Sequence, residues 1–141
     1  MRIRLAKLKE LDSIIGFDHV APTQKSRRVF IERSILKNRC YVAITKEELV
    51  GYIILEYSFF ECGFVSMLYV KEKYRRKGIG TKLMEYIETK CTTEKLFTST
   101  NQSNIPMQGL LKTLNFARSG IVHNLDPGDP ELIYFKRISR S

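Results

Sequence analysis

Hydrophobic positions recur along this chain in two rhythms, and the switches between them mark the elements. Residues 2–6 alternate basic and apolar side chains, the period of a strand. Leu8, Leu11, Ile14 and Ile15 follow at helical spacing and predict a first helix ending near Asp18. Val20, Ala21, Pro22 and Thr23 read as a loop, with Pro22 as the breaker. Ser26 is placed to cap a second helix that carries Val29, Phe30, Arg33, Ile35 and Leu36 and ends near Asn38. Residues 40–44 and 49–57 read as strands joined by a polar turn at 45–48, and a turn near Glu61, Cys62 and Gly63 leads into a third strand, 64–70. Short connections between consecutive strands predict an antiparallel meander.

Beyond residue 78 the helical rhythm returns. Ile79, Leu83, Tyr86, Ile87 and Cys91 fall at i, i+4, i+7, i+8 and i+12, a single apolar stripe. Residues 95–99 make a short strand. Asn104 then caps a helix with Pro106 in its first turn and Met107, Leu110, Leu111 and Leu114 as its stripe. Residues 116–122 and 132–136 are the last strands, and the loop between them, 124–130, holds Pro127 and Pro130. The predicted order is β-α-α-β-β-β-α-β-α-β-β, an α/β chain.

Between the third strand and the third helix lies Tyr74-Arg75-Arg76-Lys77-Gly78-Ile79-Gly80, where three cations precede a helix start. The first amides of a helix have no intrahelical acceptor, and its macrodipole puts partial positive charge there. Glycines at Gly78 and Gly80 let a ligand approach the backbone. Such an arrangement suits a diphosphate. The dinucleotide fingerprint needs a third glycine where Leu83 stands, and the nucleoside-triphosphate loop needs its lysine after the last glycine, where Lys77 precedes the first. What remains is R-x-x-G-x-G after a strand and before an amphipathic helix. This resembles the acetyl-CoA loop of the GNAT superfamily of N-acetyltransferases.

A second motif agrees. Asn104-x-x-Met107-x-x-Leu110-Leu111-x-x-x-Asn115-Phe116 is similar to the family's N-x-x-A-x-x-L-Y-x-x-x-G-F. Together the two motifs and the element order cover nearly the whole chain. The resemblance implies a mixed, mostly antiparallel sheet of about seven strands flanked by about four helices. It implies acetyl-CoA as cosubstrate and direct transfer of its acetyl group to a primary amine. The residues carried over for the cofactor are Leu68, Tyr69 and Val70 (backbone donors to the pantetheine arm and acetyl carbonyl), Arg75, Arg76, Lys77, Gly78, Ile79, Gly80 and Thr81 (diphosphate), and Asn104 and Leu111. Leu111 stands where the family keeps the tyrosine that serves as general acid, and Ser66 and Met67 stand where many relatives carry a glutamate base. The candidates left for proton transfer are Glu56 on the preceding strand and Tyr134 on the last one. His123 reads as a loop residue.

Composition narrows the alternatives. A chain of 141 residues, 43% hydrophobic and 28% charged, reads as one ordinary globular domain, residues 1–141. No run approaches a membrane span, the first residues lack a signal peptide's apolar segment, and Cys40, Cys62 and Cys91 have no metal-ligand spacing. These features lead us to expect a cytoplasmic protein without a membrane partner or a metal, a monomer or homodimer. The net charge of +9 raises a nucleic-acid-binding module as an alternative. Five of the 24 basic residues fall within residues 71–77, where a polyphosphate cofactor would sit, and no Lys/Arg run interleaves with aromatics. No specific nucleic acid is therefore expected. A CoA-binding sensor without turnover is the other alternative. The acceptor class stays open between a peptide and a small amine; the acidic stretch Asp126, Asp129 and Glu131 would suit a cation.

Overall fold

The computed structural model describes residues 1–17 and 24–138. Its elements are β1 (Arg2–Leu5), a 3-10 turn (Leu8–Glu10), α1 (Leu11–Phe17), α2 (Lys25–Leu36), β2 (Cys40–Thr45), β3 (Glu48–Phe59), β4 (Cys62–Val70), a second 3-10 turn (Glu72–Tyr74), α3 (Ile79–Lys90), β5 (Lys95–Asn101), α4 (Ile105–Thr113), β6 (Ala117–Val122) and β7 (Glu131–Arg137). Seven strands form one sheet in the order β1-β2-β3-β4-β5-β7-β6. β4 and β5 are parallel, while β1–β2, β2–β3, β5–β7 and β6–β7 are antiparallel. The mixed, mostly antiparallel sheet with four helices is the expected class. Among the described residues no helix is long and apolar enough to cross a membrane.

Contacts divide the described residues into two units, and β3 and β4 run through both. The first comprises residues 1–55 and 67–86. Its core is built from Ile14 and Ile15 of α1 and Ile31 and Ile35 of α2, closed against Cys40, Val42 and Ile44 of β2 and Tyr52 and Ile54 of β3. The spacing of the four isoleucines puts them on the inner faces of two helices, and burying each is worth about 1.5–3 kcal/mol. Phe17, Tyr52 and Tyr69 close one end of this core, with ring centroids 5.9–6.3 Å apart. At the other strand edge the Arg4 guanidinium grips Glu10 with both nitrogens at 2.9 and 2.7 Å, and Glu10 also accepts from the Lys7 amide at 2.8 Å. Arg4 holds the Glu10 carboxyl below the usual carboxylate range.

The second unit comprises residues 56–66 and 87 onward. Leu96, Leu111 and Leu132 are fully buried in it, and the Thr98 hydroxyl donates to the Val65 carbonyl at 2.9 Å. On the sheet, Phe59, Phe64, Phe97 and Phe135 make a row of ring contacts with centroids 4.8–5.7 Å apart. Asn104 caps α4, its side chain accepting from the Met107 amide at 3.2 Å, with Pro106 in the first turn. Asn115, at φ 69°, ends that helix in the left-handed conformation its position predicts.

Several details depart from the sequence reading, among them β3, which runs on to Phe59. Ser26 is not a cap: α2 begins one residue earlier, after Gln24, which makes no side-chain capping bond. The hairpin before β4 turns on Phe60 and Glu61, at φ 52° and 63°, so Cys62 and Gly63 already belong to the strand. Gly63 is there for space, since a Cβ would stand 2.6 Å from the Cys91 sulfur and 3.2 Å from the Thr93 hydroxyl. β5 also runs two residues further than expected, to Asn101. The expectations for Asp18 and for the loop at residues 20–23 lie outside the described residues.

Gly51 of β3 is packed against backbone: a Cβ would stand 2.9 Å from the Tyr69 carbonyl oxygen and 3.3 Å from the Leu83 side chain. Gly51→Ala should therefore cost about 1–3 kcal/mol, because a strand and not a side-chain tip must move. Gly109 in α4 has nothing within 4 Å of the same position, so Gly109→Ala should stabilise by about 0.5–1 kcal/mol. Thermal melts of the two variants should move in opposite directions.

Candidate functional site

The passage from β4 into α3 is assembled from backbone conformation first and charge second. As β4 ends, the Lys71 amide donates to the Val50 carbonyl at 2.8 Å, and the chain enters the turn Glu72–Tyr74. Glu48, at the start of β3, fixes that turn. Its carboxylate accepts from the Tyr74 hydroxyl at 2.6 Å and from the Lys71 ammonium at 3.1 Å, with the Lys73 ammonium at 3.7 Å. The Tyr74 hydrogen bond, then that of Lys71, draws the Glu48 carboxyl below its usual value, and the same bond raises Tyr74.

Arg75 follows in an extended conformation. Its Nε donates back to the Val70 carbonyl at 2.9 Å and its guanidinium lies 5.2 Å from the Tyr69 ring, so backbone and side chain of β4 both brace it. Arg76 and Gly78 are then left-handed, at φ 63° and 80°. Left-handed residues thus stand on either side of Lys77 just before the helix begins. The helical ladder begins with the Lys82 amide donating to the Gly78 carbonyl at 3.0 Å. Amides ahead of it, at Ile79, Gly80 and Thr81, have no intrahelical acceptor. Arg75, Arg76, Lys77 and Gly78 are exposed, Gly80 and Thr81 half-buried, and Ile79 buried as the anchor of the helix. The first turn of α3 has no acidic residue. Exposed cations, free amides and an open Gly78, with nothing within 4 Å of its would-be Cβ, fit a polyphosphate group.

Every sequence-predicted residue from Leu68 to Thr81 thus lies in the first unit, along 14 consecutive positions. Leu68, Tyr69 and Val70 are half-buried on the last part of β4. Glu56, Asn104, Leu111 and Tyr134 lie in the second unit. Glu56 is half-buried on β3, where it accepts a hydrogen bond from the Ser58 hydroxyl. Asn104 is exposed and engaged as a cap through its side-chain oxygen. Leu111 is a core residue at 0% exposure, so the position of the expected tyrosine is filled by packing. Tyr134 is buried on β7 in register with Thr98 and Arg118, and the Arg118 guanidinium lies 5.8 Å from its ring. His123 is exposed.

The parallel ladder covers Gly63–Val65 against Leu96–Thr98 and stops before Ser66 and Ser99, the next residues in register. One feature was not legible beforehand: at that point the Ser66 hydroxyl is buried and has no hydrogen-bond partner among the described residues. Burial pushes the Cys40 thiol up to about 12, so it stays protonated in the core. Among the described residues no group of three His, Cys, Asp or Glu side chains could hold a metal ion.

Comparison with known proteins shows the family and the fold. Residues 8–116 match the model of the Acetyltransferase (GNAT) family. An N-alpha-acetyltransferase of Sulfurisphaera tokodaii is 30% identical over 132 residues, which cover 82% of this chain and 79% of that protein. N-alpha-acetyltransferase 30 of Xenopus laevis is 34% identical over 86 residues, 56% of this chain; the match spans only 32% of the frog protein's length. A crystal structure of a GNAT-family acetyltransferase from Bacillus cereus ATCC 10987 superposes with a TM-score of 0.91 at 37% identity, covering 99% of this chain and 98% of that one.

Glu48 ties the turn to β3 only while it is charged. Its folded pKa is depressed, so its contribution is complete above the reference value of 4.5 and is lost as pH falls through the lower folded value. Glu48→Gln should therefore lower the urea midpoint at pH 7, and the gap from wild type should close as pH is taken below 4.5. A gap that persists unchanged at pH 3 would show that the carboxylate charge is not what holds the turn.

Proposed function

The chain belongs to the acetyltransferase (GNAT) family, and from that membership we propose that it carries an acetyl group from acetyl-CoA to a primary amine, the α-amino group of a polypeptide being the first acceptor class to consider. The observation that carries the cosubstrate reading is the left-handed pair Arg76 and Gly78 around Lys77, opening directly into α3. The acceptor class is drawn from the relatives, which are named N-alpha-acetyltransferases.

In this reading the amides of Ile79, Gly80 and Thr81, with Arg75, Arg76 and Lys77, hold the diphosphate. Backbone groups of Leu68, Tyr69 and Val70 bind the pantetheine arm and polarise the acetyl carbonyl, which explains why the side chains there need only be apolar. Asn104 already uses its side-chain oxygen on the Met107 amide, so its NH2 group is what it offers to the arm. Leu111 contributes packing and no proton. Bound acetyl-CoA supplies an activated acyl group as a thioester. Tyr134 is the side chain proposed for the leaving thiol, and Glu56 remains a carboxylate candidate through its free lone pairs.

Calorimetry with acetyl-CoA on the wild type should show binding, and Gly78→Val should weaken it by about 10–100-fold, the value of one or two charge-assisted hydrogen bonds lost when the turn is deformed. Far-UV spectra of the two should match. Thiol release should then appear with a peptide bearing a free α-amino group and vanish when that group is blocked. A folded wild type that binds no acetyl-CoA would overturn the reading.

A further inference from the structure

The hairpin that joins β3 to β4 breaks a local rule of turn chemistry. Its two-residue loop, Phe60 and Glu61, has both residues at positive φ, 52° and 63°, a geometry that favours Asn-Gly or Asp-Gly. A bulky side chain is strained there. The hairpin between β2 and β3 uses the same pair of conformations with Lys46 and Glu47, at φ 49° and 65°, both exposed to water. Such a turn therefore has no need of an aromatic ring. Phe60 is nevertheless 84% exposed, more than any other large hydrophobic side chain among the described residues. Its ring meets Phe59 edge-on, with centroids 5.0 Å apart.

Beside this ring lies an apolar groove of about 440 Å³, lined by Phe59, Phe97, Ile121 and Ile133 together with Phe60 itself and Lys95. All six residues belong to the second unit. Ile121 is 45% exposed on β6, the outermost strand of the sheet. Charge adds a second element. Glu61 and Lys95 are both exposed, and among the described residues no ion pair includes either. One patch thus holds an exposed ring beside an uncompensated carboxylate, and an apolar groove beside an uncompensated ammonium.

We propose that two copies of this chain dock through this patch, the Phe60 ring of each seated in the groove of the other. A plug and a socket that share one patch are self-complementary, which is what a two-fold interface requires. Seating the ring takes the most exposed aromatic side chain out of water, and Glu61, next to the plug, then meets the partner copy's ammonium at the socket. The two-fold axis makes that charge pair twice. An aromatic anchor in an apolar pocket is the kind of contact that carries binding energy at protein interfaces. The net charge of +9 works against association of like copies. A reversible dimer with Kd of about 1–100 μM is therefore the expected form.

The test is sedimentation velocity over a concentration series spanning about 1–500 μM. Wild type should pass from monomer to dimer. Phe60→Asn, which suits the turn and removes the plug, should weaken dimerisation by at least about tenfold. Glu61→Lys and Lys95→Glu should each do the same, because each sets like charges against one another across the interface. An equimolar mixture of those two variants should recover a heterodimer to within about threefold of wild type, since each supplies the charge the other lacks. A dimer that survives Phe60→Asn, single reversals without effect, or a mixture that stays monomeric overturns the proposal. So does a wild type that is monomeric throughout or that grows past the dimer. If a reversal variant does not fold, the Phe60→Asn result decides alone. Thermal melts at concentrations below the dimerisation range separate docking from folding. There Phe60→Asn should melt no lower than wild type, and a clearly lower melt would give the ring a structural role and overturn the proposal.

Discussion

The first unit is organised around one backbone requirement: the chain must leave β4 and start α3 within the few residues that follow the turn Glu72–Tyr74. Two left-handed residues, Arg76 and Gly78, satisfy it. Glycine adopts that conformation freely, whereas an arginine there costs about 1–2 kcal/mol. The surroundings hold the turn in place. Glu48 grips the approach through Tyr74 and Lys71, Arg75 folds back on the Val70 carbonyl, and Gly51 lets the Tyr69 backbone come close enough for β3 to serve as the support. Strain at Arg76 is therefore located where a ligand would contact the backbone, and the contacts that offset it lie just upstream.

Charge at this junction runs against local stability. Each cation at a helix start opposes the macrodipole by about 0.3–1 kcal/mol, and α3 has no acidic residue in its first turn. α1, by contrast, has Asp12 in its first turn. Helix stability alone would select the pattern of α1. A bound polyanion reverses the sign at α3, since it satisfies the amides and the cations together. Of the five basic residues within residues 71–77, Lys71 and Lys73 face Glu48, and Arg75, Arg76 and Lys77 are the exposed cations next to the helix start.

Local patterns told most where the determinant is local. The cap at Asn104, the left-handed Asn115 and the apolar stripe through Leu83 and Ile87 each depend on residues within one helix, and each was legible. Gly63 was misread as a turn because its requirement comes from Cys91 and Thr93, nearly thirty residues away. Ser26 was misread because a good capping residue one position inside a helix looks the same in sequence as one at its border. The R-x-x-G-x-G loop was legible in type, while the left-handed conformation of Arg76, a residue with no glycine's freedom, was not. Leu111 marks another limit. The motif told which side chain was missing, and only packing told that the leucine is fully enclosed.

Proton handling belongs to the same class of non-local information. On sequence grounds Glu56 was the natural carboxylate because it sits on the strand preceding the one that feeds the loop. In the structure its side chain answers to Ser58, a neighbour on the same strand. Glu131 reads as one of three acidic residues in a loop, yet strand pairing brings it to Ser99, thirty-two positions earlier, while Asp126 and Asp129 are turned to holding the loop. Three carboxylates that are equivalent in sequence thus become different in chemistry. Two are oriented by groups that shape the backbone, and the third is oriented by a single hydroxyl and keeps an oxygen free. Register, and not composition, decides which of the three carboxylates is tied into the loop and which is met by a hydroxyl of a neighbouring strand.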